Sequence, residues 1–288
     1  MIVCCLRGGL GNQIHEYAFA RYLAFLTGQE VGLNTFFYGS GNPNPTRRRY
    51  ELGAFSCSVA RLSSENWLER EPIVVDGKAI EYLSEDDVLM LDVIDAMKRR
   101  PNKSYALLGY WQDYFGYLNN PEFWKLLIQE FNPKVPLDAA DLDASLRPIL
   151  ENENTVGVHV RRTDYLRLTH RYNTLGADYY AAALDLIRQT VKSPDIFVFS
   201  DDMEKAKSEE LFDCPVTYVE TGSLHADFNL FRNCRHNIIA NSTFSWWAAY
   251  LNANPDKQIV APKNYYNMTW RQEEYERDPR VLNGWYMV

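Results

Sequence analysis

An imidazole and a guanidinium two residues apart open the richest run of chemistry in the chain, Val158-His-Val-Arg-Arg-Thr-Asp-Tyr165. On a strand side chains alternate, so His159 and Arg161 share one face while Val158 and Val160 point into the opposite packing layer. Open α/β sheets bind ligands at the carboxyl ends of their strands, and there the fixed donor fork of Arg161 matches a phosphate bidentately. The competing reading is structural: Arg161 and Arg162 pair with Asp164 or with a neighbouring acidic helix.

Three further runs carry groups suited to a ligand. In Asn241-Ser-Thr-Phe-Ser-Trp-Trp247 a strand gives way to a helix, with Ser242 or Thr243 as N-cap. The first-turn N–H groups of Thr243, Phe244 and Ser245 and the positive end of the helix dipole then form an anion site; a plain capped core helix fits the same residues. Phe199-Ser-Asp-Asp202 ends an apolar strand, so Ser200, Asp201 and Asp202 either accept hydrogen bonds from a nucleobase or ribose or cap the next helix. Gly8-Gly-Leu-Gly-Asn-Gln13 imitates a dinucleotide fingerprint, but Ile14 occupies its third glycine position, which disfavours NAD. Gly9 and Gly11 still permit close backbone approach by a ligand, with Asn12, Gln13 and His15 at the helix start. No Walker sequence occurs, and neither Asp141-Leu-Asp143 nor the scattered histidines read as a metal site. Trp246 and Trp247 read as packing.

The elements that must position these groups show in the periodicities. The chain opens strand, glycine turn, helix: an apolar Ile2 to Leu6, then apolar residues at roughly 3.6-residue spacing to Leu26, stopped by Gly28 at C′. Tyr38 to Pro45 is a surface loop, residues 60–100 are acidic and partly helical connectors, Leu107 to Trp111 is a buried strand, and a helix runs from Pro121 to Phe131. From Thr155 to Val160 onward, strands at 196–199, 216–219, 237–240 and 258–260 alternate with helices at 178–190, 203–211, 224–234 and 244–251. That alternation means a parallel sheet with helices on both faces. Proline punctuation at 133–136 and the acidic stretch to Glu153 put a boundary near 150. The expected architecture is α/β with two Rossmann-like domains facing a cleft, 1–150 and 151–288, the tail 271–288 being free to pack back on the first.

Composition narrows the partners. Thirty Lys and Arg against 38 Asp and Glu give a formal charge of −8, which repels nucleic acid. Hydrophobic residues at 46% suit a folded core, and 19 Tyr and 7 Trp weakly favour a carbohydrate ligand. Five unspaced cysteines point to a reducing compartment, and without a signal peptide or an apolar run of about 18 residues the expectation is a cytoplasmic protein with no membrane span, any membrane-borne substrate being met peripherally at the inner face.

Together with Tyr17-Ala18, Arg49-Tyr-Glu-Leu52, Gly109-Tyr-Trp-Gln112 and Trp247-Ala-Ala-Tyr-Leu251, these runs resemble the inverting α-1,2-fucosyltransferases, which make Fuc-α-1,2-Gal linkages. The resemblance implies a GT-B-like fold, GDP-fucose as donor bound mainly by the carboxyl-terminal half, a galactose-terminated glycan as acceptor, and no metal or other cofactor. By motif, His159 and Arg161 would meet the nucleotide and its pyrophosphate, and Thr243 to Ser245 would hold phosphate oxygens. The base stays open among Asp164, Glu16 and His15. Where the family often has Met-Phe-Gln-Tyr, this chain has Ile14-His-Glu-Tyr17, a departure that bears on acceptor choice. The missing anchor of the animal members suggests a bacterial form. The alternatives are another GDP-sugar transferase of the same architecture with a different linkage, or a non-catalytic, lectin-like relative.

Overall fold

The computed structural model describes residues 1–39, 48–63, 74–75, 78–163, 165–277 and 280–288. They form two units, Met1–Lys134 and Val135–Val288. The first begins with β1 (Ile2–Cys5), α1 (Leu10–Thr27), β2 (Val31–Asn34) and β3 (Arg61–Ser63). A small antiparallel pair, β4 (Val74–Val75) and β5 (Lys78–Ala79), precedes β6 (Glu81–Ser84), α2 (Met90–Arg99), β7 (Tyr105–Leu108) and α3 (Pro121–Glu130). Five of these strands make a parallel sheet in the order β3-β2-β1-β7-β6. With β1 in its middle, Ile2-Val-Cys-Cys5 has no solvent face to mark with polar residues, hence its unbroken apolar run. Gly28 ends α1 as expected: at φ 70° its N–H bonds the Ala24 carbonyl at 2.8 Å.

The second unit continues with α4 (Pro148–Glu151), β8 (Thr155–Val160), α5 (Ala177–Arg188), β9 (Asp195–Ser200), α6 (Met203–Ser208) and β10 (Thr217–Tyr218). It ends with α7 (Leu224–Asn233), β11 (His236–Ile238), α8 (Thr243–Tyr250), β12 (Ile259–Ala261), α9 (Thr269–Arg277) and β13 (Tyr286–Met287). All six strands are parallel, ordered β10-β9-β8-β11-β12-β13. Val156, Val158 and Val160 enter one core layer with Tyr180, Leu184 and Ile187 of α5 and Ile196 and Val198 of β9. On the other face Gly157 lets α7 lie close: a Cβ there would stand 3.1 Å from both Cys234 Sγ and Phe231 Cδ2.

The alternation after Thr155 lies where the sequence placed it, with ends shifted by a few residues. Other features differ. The division falls at Lys134/Val135, not near 150, because the acidic stretch leads through a turn at Ala139–Asp141 and α4 into the second sheet. Tyr286 and Met287 pair with Val260 and Ala261, so the tail completes the second unit's own sheet and covers a strand edge. The strand expected at 107–111 stops at Leu108, since Gly109 (φ 133°) and Trp111 (φ 54°) turn the chain. The supposed connectors at 60–100 supply β3, β6 and α2. Of the loop expected at Tyr38–Pro45, positions 40–45 lie outside the described residues.

Counted in chain order within the unit, the second sheet runs 3-2-1-4-5-6. That is the dinucleotide-fold order, whose direction reverses between β8 and β11; in the first sheet the steps from β1 to β2 and from β6 to β7 run the same way, so β1 and β7 are neighbours without such a reversal. The reversal in the second sheet opens a crevice outside the carboxyl ends of β8 and β11.

Candidate functional site

At the second unit's reversal, β8 delivers His159 and Arg161 while the turn after β11 delivers Asn241 to Ser245. The His159 ring lies 5.4 Å from that of Phe244 and 6.2 Å from that of Phe231, which ties β8 to the first turn of α8 and to α7. Its Nδ1 is buried and, among the described residues, without a hydrogen-bond partner. Burial pushes its pKa down to about 3; Arg161 and Arg162 add to the fall and Asp201 opposes it. Near neutral pH this imidazole therefore carries no charge and offers one N–H.

Arg161 holds the positive charge. Its Nη1 stands 3.1 Å from Asp201 Oδ2, and its guanidinium carbon lies 5.4 Å from the centre of the Tyr165 ring. Asp201 also accepts the Arg162 backbone N–H at 2.8 Å and the Thr163 hydroxyl. Burial acts upward on the Asp201 carboxyl, yet Arg161, Thr163 and the Arg162 N–H, helped by His159, bring its pKa below the usual value. It stays ionised and anchors Arg161. Arg162 turns inward instead: almost fully buried, it bonds Glu209 at 2.7 Å and the carbonyls of Arg161 and Leu175, each at 2.9 Å. Both members of the arginine pair thus make ion pairs, Arg161 with Asp201 and Arg162 with Glu209.

Ser242, in extended conformation, is the N-cap of α8 by position, as expected, without a capping bond from its side chain. Ser245 bonds back to the carbonyls of Ser242 and Ala240 at 3.3 and 3.4 Å. A helix start with neither a side-chain cap nor an acidic residue in its first turn suits an anion. Thr243 and Phe244 are half-buried there. Sequence reasoning assigned no role to Tyr165, whose hydroxyl donates to the Asn241 carbonyl at 2.5 Å. Its ring faces Arg161 while its hydroxyl holds the approach to α8, a link between positions far apart in sequence. Ser200 and Asp202 build a turn at the end of β9. The Ser200 hydroxyl and the Asp202 backbone bond one another at 3.0 and 3.1 Å, and the Asp202 carboxylate caps α6 through the Lys205 N–H at 3.0 Å. Asp164 lies outside the described residues.

In the turn after β1 Gly8 adopts φ 75°, and a Cβ there would sit 2.6 Å from Asn12 Nδ2, so the turn requires glycine. The Gly9 carbonyl accepts the N–H groups of Asn12 and Gln13, both at 3.0 Å, and Gly11 is buried in the first turn of α1. Gln13 fastens α1 to the segment at 49–51 through Arg49 and Glu51. Asn12 receives a hydrogen bond from Gln112 at 3.4 Å, a partner that sequence reasoning left without a role in Gly109-Tyr-Trp-Gln112. Arg7 stands 5.8 Å from the centre of the Tyr110 ring.

His15 and Glu16, two of the three base candidates, are both buried in the second turn of α1. His15 packs edge-on to Phe115 at 4.9 Å. Burial raises the Glu16 pKa well above its ordinary value, with Glu85 adding to the rise against the N–H and the charge of Arg7. Trp246 and Trp247 pack in the core, as read. Among the described residues no three His, Cys, Asp or Glu side chains gather as metal ligands would, and no helix is long and apolar enough to cross a membrane. Asp141 and Asp143 are exposed, and all five cysteines are free thiols.

Residues 93–287 match glycosyl transferase family 11. The O-antigen biosynthesis glycosyltransferase WbnK of Escherichia coli is 30% identical over 91% of this chain and 94% of its own. An α-1,2-colitosyltransferase of Escherichia coli is 26% identical over 97% and 96%. The Sec1 galactoside 2-α-L-fucosyltransferase of Mus musculus is 40% identical over 87% of this chain and 64% of its own.

Proposed function

The chain belongs to glycosyl transferase family 11, and on that footing we propose that it moves L-fucose from GDP-β-L-fucose to the 2-hydroxyl of a terminal galactose. The observation that carries this reading is the second unit's reversal, where Arg161, anchored by an ionised Asp201, accompanies the uncapped start of α8. Such a site suits the pyrophosphate of a nucleotide sugar. The names of the 2-α-fucosyl and α-1,2-colitosyl relatives support the linkage.

A β-linked donor and an α-linked product require one inversion. The galactose O2 forms a bond to C1 of fucose, the bond from C1 to the phosphate oxygen breaks, and its electron pair leaves with GDP. Negative charge grows on the β-phosphate, where Arg161 and the first-turn N–H groups of α8 are aimed. In this reading they do the work of a divalent cation, and no metal is required. Neutral His159 donates one hydrogen bond to the nucleotide. The hydroxyl proton passes to a base for which Asp164 and His15 remain candidates. The first unit takes the acceptor, its hydroxyls matched by the uncharged amides of Asn12 and Gln112. A cytoplasmic location fits the free thiols.

The colitosyl relative supports a second reading of the donor sugar, with the same linkage and a GDP-colitose donor. A panel of galactosides incubated with each donor in turn, with products read by mass and linkage, decides. An α-1,2-fucosylated galactoside is the expected product. GDP-colitose turned over in preference to GDP-fucose selects the second reading, and any other linkage rejects both.

A further inference from the structure

A carboxyl group that takes a proton from a sugar hydroxyl must be ionised and within reach of substrate. Glu16 has no exposed surface. Its Oε2 accepts the Arg7 backbone N–H at 2.9 Å, across the glycine turn that joins β1 to α1. Its Oε1 is buried and, among the described residues, has no hydrogen-bond partner. Building on the transfer reaction proposed above, we propose that Glu16 is a positioning residue: its carboxyl ties the Arg7-Gly8-Gly9 turn to the second turn of α1 and does not receive the acceptor's proton.

The surroundings favour an uncharged carboxyl. Cys4 and Cys5 of β1, Arg7 in the turn, Glu85 after β6 and Tyr38 after β2 face it, and of these only Arg7 is cationic. The Arg7 guanidinium lies near the Tyr110 ring, and the hydrogen bond it gives Glu16 comes from its backbone. Burial with a single hydrogen bond penalises the ionised form, in line with the raised pKa. A protonated carboxyl keeps a carbonyl oxygen for Arg7 and needs no countercharge. The turn it holds is closely tied: the Gly8 carbonyl accepts from Gln13 and from the Tyr38 hydroxyl, each at 3.2 Å, and the Gly9 carbonyl accepts the N–H of Asn12. Displacing Arg7 therefore displaces Asn12.

Glu16→Ala and Glu16→Gln test the assignment, because the amide keeps an acceptor for Arg7 but cannot serve as a base. Glu16→Ala is expected to lower kcat/KM for the acceptor about tenfold, the scale of one buried hydrogen bond and its packing. Glu16→Gln is expected to restore it to within about threefold, with the pH profile of kcat unchanged. A folded Glu16→Gln enzyme whose kcat falls by about 100-fold or more, as when a base is lost, overturns the proposal. Thermal unfolding of wild type and Glu16→Gln between about pH 5 and pH 8 tests it without any transfer. A carboxyl whose folded pKa is raised contributes stability present below its ordinary 4.5 and lost as pH climbs toward the folded value. Glutamine suffers no such loss, so the Tm advantage of Glu16→Gln should grow with pH. An advantage that shrinks as pH rises marks an ionised Glu16 and overturns the proposal. The same melting curves decide Glu16 even if wild type transfers no fucose, an outcome that fails only the reaction assignment.

Discussion

The turns that follow β1 and β11 are built alike and equipped differently. Each stands at the carboxyl end of a central strand ahead of a helix that begins without a side-chain cap, α1 in the first unit and α8 in the second. Around the second stand a cationic Arg161, an ionised Asp201 and a neutral imidazole. Around the first stand the amides of Asn12, Gln13 and Gln112 and a buried acid whose pKa is raised. On the proposed reading the side chains decide the ligand: fixed charge answers a pyrophosphate, uncharged donors and acceptors answer sugar hydroxyls.

If that division is right, removing the charge has the largest effect. Arg161→Ala should lose at least ~100-fold in kcat, by analogy with deleting one transition-state donor, and Arg161→Lys should recover little because its point charge lacks the planar fork. Near-normal turnover would move charge handling away from the second sheet's reversal. A smaller effect is expected from Tyr165→Leu, which removes both the ring beside Arg161 and the hydrogen bond to Asn241. GDP affinity should weaken about tenfold by calorimetric titration, with Tyr165→Phe between the two. Gln112→Ala sharpens the contrast from the other side: acceptor KM should rise about fivefold while GDP affinity stays put. A loss of GDP affinity in that variant would merge the two sites. The smallest effect is none at all, since excess EDTA should leave the rate unchanged. Activity abolished by chelation and restored by Mg²⁺ or Mn²⁺ would show that Arg161 and α8 do not suffice.

The second half was far more legible than the first. Its strands are buried on both faces and separated by helices of ordinary length, so apolar runs and turn residues located β8 to β12 and with them His159, Arg161, Asp201 and the turn at 241–245. What escaped detection is non-local. Arg162 turns inward because Glu209 and the Leu175 carbonyl await it, partners that no spacing announces. Tyr165 acquires its role through a carbonyl on a different strand's loop. The short strands β3, β6 and β13 have too few residues to display a period. In α1, burial extends nearly all round the helix, so the stripe that would separate an inward from an outward Glu16 is missing. The departure from the resembling family at that position is correspondingly smaller in chemistry than in formal charge, because a protonated glutamic acid and a glutamine present similar atoms.

Strand order also has a consequence in time. β8 is the second unit's first strand, yet it lies in mid-sheet, with Val156 paired on one side to Ile196 and on the other to His236. During synthesis the flank made of β8, β9 and β10 can pair while the opposite edge of β8 still waits for β11. Phe231 and Phe244, the rings that cover His159, arrive with α7 and α8. Closure of such distant contacts is slow compared with local helix formation. On the proposed reading the nucleotide site is therefore completed late in folding, and GDP present during refolding should act on the last steps of assembly and leave the first untouched.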